Sequence, residues 1–240
     1  MLKWFIKQLI KTTLVPVSRF DITPIRMYGT ASVGVYIAAN DEYALIPADS
    51  PEKVDRHIED TLKVKVIRMT IGGSPLLGVF TVMNNSGVLV PSIIKDEELE
   101  LLRRSLGDLN VAVLPSRYTA IANLILVNNK RGVVSPIVER EYLNIVRDNL
   151  NIELEVRDIR GLYIVGSLAV VNDRGILVSP EVDEKDVNFL KGFFGVRIGV
   201  GTVNRGISLV RSGIVANNKG AVVGDLTTGF EMMRITEVLG

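Results

Sequence analysis

One phrase recurs at a fixed interval along the chain. VVNDRGILVSP (170–180) is an apolar run, a polar turn ending in glycine, and a second apolar run stopped by proline. TVMNNSGVLVP (81–91), LVNNKRGVVSP (126–136) and IVANNKGAVVGD (214–225) say nearly the same, and AANDEYALIP (38–47) is a version without the glycine. The residues that stop the second run are Pro47, Pro91, Pro136, Pro180 and Gly224, spaced by 44, 45, 44 and 44 residues. A unit of this size cannot bury its apolar face alone, so the chain must fold as an array of five copies that cover one another.

Each copy reads as the same circuit. A continuous apolar stretch (33–39, 76–83, 121–127, 165–171 and 209–216) predicts a first strand. The turn after it predicts a hairpin with a three- or four-residue loop, in which Asn or Asp bonds nearby backbone amides and Gly takes positive φ. The second strand ends at a residue that cannot extend a ladder, and a helix follows. Asp96 is expected to cap the helix carrying Leu99, Leu102 and Leu106, and Ser50 with Pro51 to start the one carrying Val54, Ile58 and Leu62. The stripe returns at Leu143, Val146 and Leu150, at Val187, Leu190 and Phe194, and at Met232, Ile235 and Leu239. An alternating strand closes the first four copies, over 64–69, 111–115, 152–156 and 196–200.

The fifth copy stops at its helix, one strand short. DITPIRMY (21–28) precedes the first copy, is compatible with a strand and has no place in that copy. It is predicted to fill the vacancy, closing residues 21–240 into one domain: a five-bladed α+β ring of ββαβ units with helices outside and no unpaired blade edge.

Composition limits what such a ring can do. The apolar runs span about six to eight residues, far below the roughly 18 to 20 that cross a bilayer, so no membrane span is expected. The absence of cysteine excludes disulfides, thiolate metal sites and thiol nucleophiles, and points to the cytoplasm. The net charge is +1, but four basic and no acidic residues fall in 1–20, leaving 24 basic against 27 acidic in 21–240. A near-neutral body is not built for nonspecific RNA binding, which needs a dominant basic face.

No residue pattern calls for catalysis, metal or cofactor. His57 lies on a helix beside Val54 and Ile58 and reads as a boundary residue. Glu97/Glu98 and Asp183/Glu184 stand at helix starts, where carboxylates complement the macrodipole. The glycines of IGGSP (71–75) and GVGTVNRG (199–206) match no nucleotide-binding spacing and suit tight turns between blades.

Five such units, with VNNKRGVVSP, GTVNRG (201–206) and NNKGAVVGDLTTG (217–229) at these positions, closely resemble translation initiation factor 6 of the archaeal and eukaryotic type over residues 22–240. The resemblance implies a pentein-type five-bladed propeller with pseudo-five-fold symmetry. It also implies a non-enzymatic, monomeric factor that binds the intersubunit face of the large ribosomal subunit, mainly through a ribosomal protein with rRNA nearby, and keeps the small subunit from joining. Carried over residue by residue, it assigns docking to Val203, Asn204 and Arg205, with Asn217 and Asn218 beside them. The same residues also read as a blade junction with local bonding. It assigns a central channel to Asn123, although Ala122 stands where the family has glycine. Other pentein proteins are enzymes acting on guanidino groups through a cysteine and a histidine, and that alternative lacks its thiol here.

Residues 1–20 depart from the resemblance. Lys3, Lys7 and Lys11 alternate with Trp4, Phe5, Ile6, Leu9 and Ile10, which spells a short basic amphipathic helix ending near Pro16. It is open to three readings: a start codon assigned too far upstream, a loose tail, or an anchor for rRNA or an anionic membrane.

Overall fold

The computed structural model describes residues 20–240, so the basic segment lies outside the described residues apart from Phe20. The described chain opens with strand β1 (Asp21–Ile25) and then builds five three-stranded sheets. The first blade is β2 (Ala38–Ala39), β3 (Tyr43–Pro47) and β4 (Lys65–Met69), and the second is β5 (Val82–Met83), β6 (Gly87–Pro91) and β7 (Asn110–Leu114). The third is β8 (Ile125–Val127), β9 (Arg131–Val134) and β10 (Glu153–Val156), and the fourth is β11 (Ala169–Val171), β12 (Gly175–Val178) and β13 (Arg197–Val200). The fifth consists of β14 (Ile214–Ala216) and β15 (Gly220–Gly224), completed by β1. In each blade the hairpin is antiparallel and the third strand adds parallel to the second. As predicted, β1 takes the vacant place, with Asp21 opposite Gly220 and Ile25 opposite Gly224. The five inner strands β2, β5, β8, β11 and β14 touch in sequence, and β14 returns to β2, so the ring is closed.

Helices α1 (Glu52–Leu62), α2 (Asp96–Leu106), α3 (Leu143–Leu150), α4 (Glu184–Phe194) and α5 (Gly229–Leu239) follow the second strand of each blade. Each wedges against the preceding blade as well as its own: α1 lies on β1 and β15, α3 on β6 and β7, and α5 on β12 and β13. The predicted stripes are what they bury, Ile58, Leu62, Leu102, Val146, Leu150, Leu190, Ile235 and Leu239 being sealed from solvent. The apolar interior is therefore five cores, each shared by two neighbouring blades, as one between the first and second (Leu45, Met69, Val88, Leu102) and one between the fourth and fifth (Leu177, Val203, Val223, Ile235). No blade owns a core, which is why the units must come as a ring.

Three local expectations give way. The inner strands are only two or three residues long, because the first half of the apolar stretch curls into a helical turn in four blades (Val33–Val35, Leu77–Phe80, Ile121–Asn123 and Val210–Gly213) and into a plain turn at 165–167 in the fourth blade. These turns pack on one another around the axis, where an extended run would collide with its neighbour. Asp96 is the first residue of its helix rather than its cap, Glu98 reaching back to the Lys95 amide instead, and Pro51 rather than Ser50 stands at the α1 N-cap. The hairpin glycines do not take positive φ. They are needed for closeness: a Cβ on Gly87, Gly175 or Gly220 would lie 2.2, 1.9 or 2.4 Å from a carbonyl oxygen at the end of the adjacent helix.

Candidate functional site

At one end of the axis the five hairpins meet. All loops have three residues and begin with asparagine: Asn40, Asn84, Asn128, Asn172 and Asn217, all buried. Each Oδ1 accepts two amides of its own loop, as Asn172 does from Arg174 and Gly175, both at 2.9 Å. That is the turn chemistry read from the sequence. Each Nδ2 then crosses to the next blade. Asn40 donates to the Asn84 carbonyl (2.9 Å), Asn84 to Asn128 (3.1 Å), Asn128 to Asn172 (3.4 Å), Asn172 to Asn217 (2.9 Å), and Asn217 back to Asn40 (2.9 Å). Three of them also donate to the last carbonyls of a helix: Asn84 to Leu150, Asn172 to Leu239 and Asn217 to Leu62. A buried amide that spends donors and acceptor on four backbone partners is a joint, and the sequence reading missed this half of its work.

The next loop position forms a second closed circuit. The Asp41 amide donates to the Asn85 side chain, Asn85 to Asn129, Asn129 to Asp173, Asp173 to Asn218 and Asn218 to Asp41. The carboxylates of Asp41 and Asp173 accept the side-chain amides of Asn85, Asn129 and Asn218 at 2.6–2.8 Å. Asn217 and Asn218 therefore sit in the two rim circuits with their side-chain amides committed within the molecule.

The helical turns occupy the other end of the axis. Aligned on the rim asparagines, Val35, Val79, Asn123, Ser167 and Ser212 are equivalent by the repeat, and Arg211 is the counterpart of Gly34, Gly78, Ala122 and Gly166, the fifth copy carrying one extra residue in its Val203–Ile207 turn. Asn123 accepts a hydrogen bond from Ser167 Oγ at 3.0 Å and faces a depression lined by Tyr118, Thr119, Leu124 and Ile164. The side chain that enters the channel is Arg211, among Gly34, Ile37, Leu126, Val170 and Ile214 in a space of about 70 Å³. Asn123 does not line this space; Arg211, the fifth-blade counterpart of Ala122, does, and its signal was an arginine inside an apolar run (LVRSGIVA).

GTVNRG is the turn joining the fourth blade to the fifth, bridged from Val203 to Ile207. Val203 is fully buried, and Asn204 is buried with its Nδ2 on the Ala31 carbonyl (2.8 Å) and its Oδ1 accepting from Thr227 (3.0 Å). Neither offers a surface. Arg205 is exposed, and its side chain meets no partner among the described residues. Asn204 and Arg205 both adopt left-handed backbone, φ 51° and 64°, which is costly for residues with a Cβ. The compensation comes from Glu231 in the first turn of α5, whose carboxylate accepts the amides of Arg205 (3.2 Å), Gly206 (2.9 Å) and Thr228 (2.7 Å) and the Thr202 hydroxyl (2.7 Å). Burial pushes this carboxyl up, but the bonds it accepts outweigh that and hold it down at about 2.

The same clasp recurs around the ring. Glu98 takes the amides of Gly72 and Gly73, and Asp186 takes that of Arg160 together with the Arg157 guanidinium. Of the helix-start acids named from the sequence, Glu98 caps its helix and also holds a blade-to-blade turn, and Asp183 caps its helix through the Asp186 amide; Asp186, which forms the clasp there, was not among them. Beside the fifth clasp lies an apolar patch: Val200, Ile207, Phe230 and Met233 are all exposed, Phe230 by 75%, and a groove of about 560 Å³ runs between Pro180, Val200, Phe230 and Met233.

The chain as a whole has matches among known proteins. Residues 22–238 match the eIF-6 family. The chain is a member of the eIF-6 family. It is 51% identical over 221 residues to translation initiation factor 6 of Pyrobaculum aerophilum, covering 92% of this chain and 100% of that protein. It is 40% identical over 223 residues to translation initiation factor 6 of Methanocaldococcus jannaschii, covering 90% and 97%. As an eIF-6 protein it is a translation initiation factor. Among solved structures, the ring is similar to the N-terminal domain of a cyanobacterial arginine dihydrolase (TM-score 0.52, 9% identity, covering 85% of this chain and 77% of that one). It is also similar to a dimethylarginine dimethylaminohydrolase (TM-score 0.50, 11% identity, covering 83% and 79%). At that identity the likeness is one of fold, and it places this eIF-6 protein in the pentein architecture. No helix among its described residues is long and apolar enough to cross a membrane.

Proposed function

We propose that this eIF-6 protein binds the intersubunit face of the large ribosomal subunit as a cytoplasmic monomer and, by occupying that face, keeps the small subunit from joining. It works as a steric block without chemistry. The observation that carries the reading is the exposed guanidinium of Arg205, held out on a clasped left-handed turn beside the apolar patch of Ile207, Phe230 and Met233. An exposed arginine on a fixed backbone, with aromatic and aliphatic residues nearby, is the composition of an interface anchor. A near-neutral body with one such patch favours contact mainly with a ribosomal protein, rRNA being secondary. Of the residues singled out in the sequence, Arg205 does the docking, while Val203, Asn204, Asn217 and Asn218 build the ring that presents it.

The test is subunit joining at raised magnesium, read by gradient sedimentation. The protein is expected to travel with the large subunit and to lower the joined-ribosome peak, and Arg205→Glu to do neither. A protein that stays at the top of the gradient with the peak unchanged would end this reading.

A further inference from the structure

The geometry points to a binding site for a small monovalent inorganic anion of halide size at the end of the axial channel opposite the asparagine rim, held by the guanidinium of Arg211. Three observations carry it. The first is the arginine's isolation: its Nε is sealed from solvent with no hydrogen-bond partner, and no side-chain bond or ion pair to Arg211 exists among the described residues. The second is the room beside it. About 70 Å³ of free space is several times the roughly 15 Å³ that a single small occupant needs. The third is the lining: apart from Arg211 no side chain in it is polar or charged, the remaining polar surface being backbone.

Cost decides between this and an empty channel. Arg211 is half-buried, but its sealed Nε is a charged donor left without a partner, an arrangement that is costly unless something pairs with it. Burial lowers the guanidinium only to about 10, so it remains cationic at neutral pH. The other charged groups on the axis, Asp41 and Asp173, stand at the opposite rim and are already bonded to Asn85, Asn129 and Asn218. Between rim and arginine lies the level of Ala39, Met83, Val127, Val171 and Ala216, which lines both spaces. The four equivalent positions, Gly34, Gly78, Ala122 and Gly166, bring no charge, so the site belongs to the fifth blade alone.

The experiment refolds the full chain into sodium bromide or into sodium gluconate of equal ionic strength, the gluconate ion being too large for the channel. Wild type is expected to melt a few degrees higher in bromide, since a ligand of the native state alone stabilises it. Arg211→Met, which fills the space with an uncharged chain of similar length, is expected to melt alike in both. Crystals of the wild-type protein grown from bromide are expected to show an anomalous peak within about 3.5 Å of the guanidinium nitrogens. Equal melting of wild type in the two salts, the same salt shift in Arg211→Met, or a channel holding water and no bromide would each overturn the site. If the variant fails to fold, the bromide crystals decide alone.

Discussion

At one end of the axis every blade carries asparagine, while at the other the five equivalent positions hold valine, valine, asparagine, serine and serine. Both ends come from the same repeat and both sit where five blades converge. The difference lies in what each side chain must do. At the rim, Asn40 and its four equivalents bond both their own loop and the next blade, so any substitution breaks two things at once. At the far end the helical turns pack through their backbones, and the side chains at Val35, Val79, Asn123, Ser167 and Ser212 are left to differ. Uniformity marks the joints of the ring, and divergence marks where one blade can acquire a property of its own.

Substitution at the rim should be the most damaging. Asn172→Ala removes two acceptor and two donor bonds to buried backbone and is expected to cost about 4 kcal/mol, read by urea unfolding. Gly175→Ala comes next, at about 3 kcal/mol, because a Cβ would lie 1.9 Å from the Val238 carbonyl and backbone must move. Gly192→Ala, on the outer side of α4 with nothing within 4 Å, should instead stabilise by about 0.5–1 kcal/mol.

Glu231→Gln probes the clasp, at about 2 kcal/mol at pH 7. The sign of its pH dependence follows from a folded-state carboxyl held at about 2 against an ordinary value near 4.5. Its contribution is present above about pH 4.5 and drains away as pH falls toward 2, so wild type and variant should converge in acid and separate above pH 5. Asn123→Ala sharpens the comparison most directly, being the same residue type at the other end of the axis. It loses a single half-exposed bond from Ser167 and should cost no more than about 1 kcal/mol in the same urea titration.

Much of this was legible in the sequence, for a physical reason. A 44-residue period with turn residues at fixed offsets reports which elements exist and how many, and a fifth copy lacking a strand reports that the N-terminal segment must supply it. The helix stripes were legible because one face of each helix meets a core. The asparagine circuit was only half legible: loop bonding by Asn84 or Asn172 is local chemistry, whereas the crossing bond depends on the ring closing. A signal was there, Asn followed by Asp or Asn in all five copies, including Asn40–Asp41 in the copy without glycine. The docking residues were the least legible. GTVNRG stands out as a motif, yet in the fold Val203 and Asn204 point inward and only Arg205 outward, a division set by tertiary packing.

The measurement that bears most directly on the account is sedimentation with isolated large subunits of three proteins: wild type, Arg205→Glu and Asn123→Ala, all shown beforehand by thermal melting to be folded. Exchange at exposed Arg205 should shift stability by no more than about 0.5 kcal/mol. The account predicts that Arg205→Glu melts like wild type and stays at the top of the gradient, while Asn123→Ala still travels with the large subunit. Arg205→Glu travelling undiminished while Asn123→Ala is left behind would contradict it, and would move the docking surface from the fifth-blade turn to the end of the ring opposite the asparagine rim.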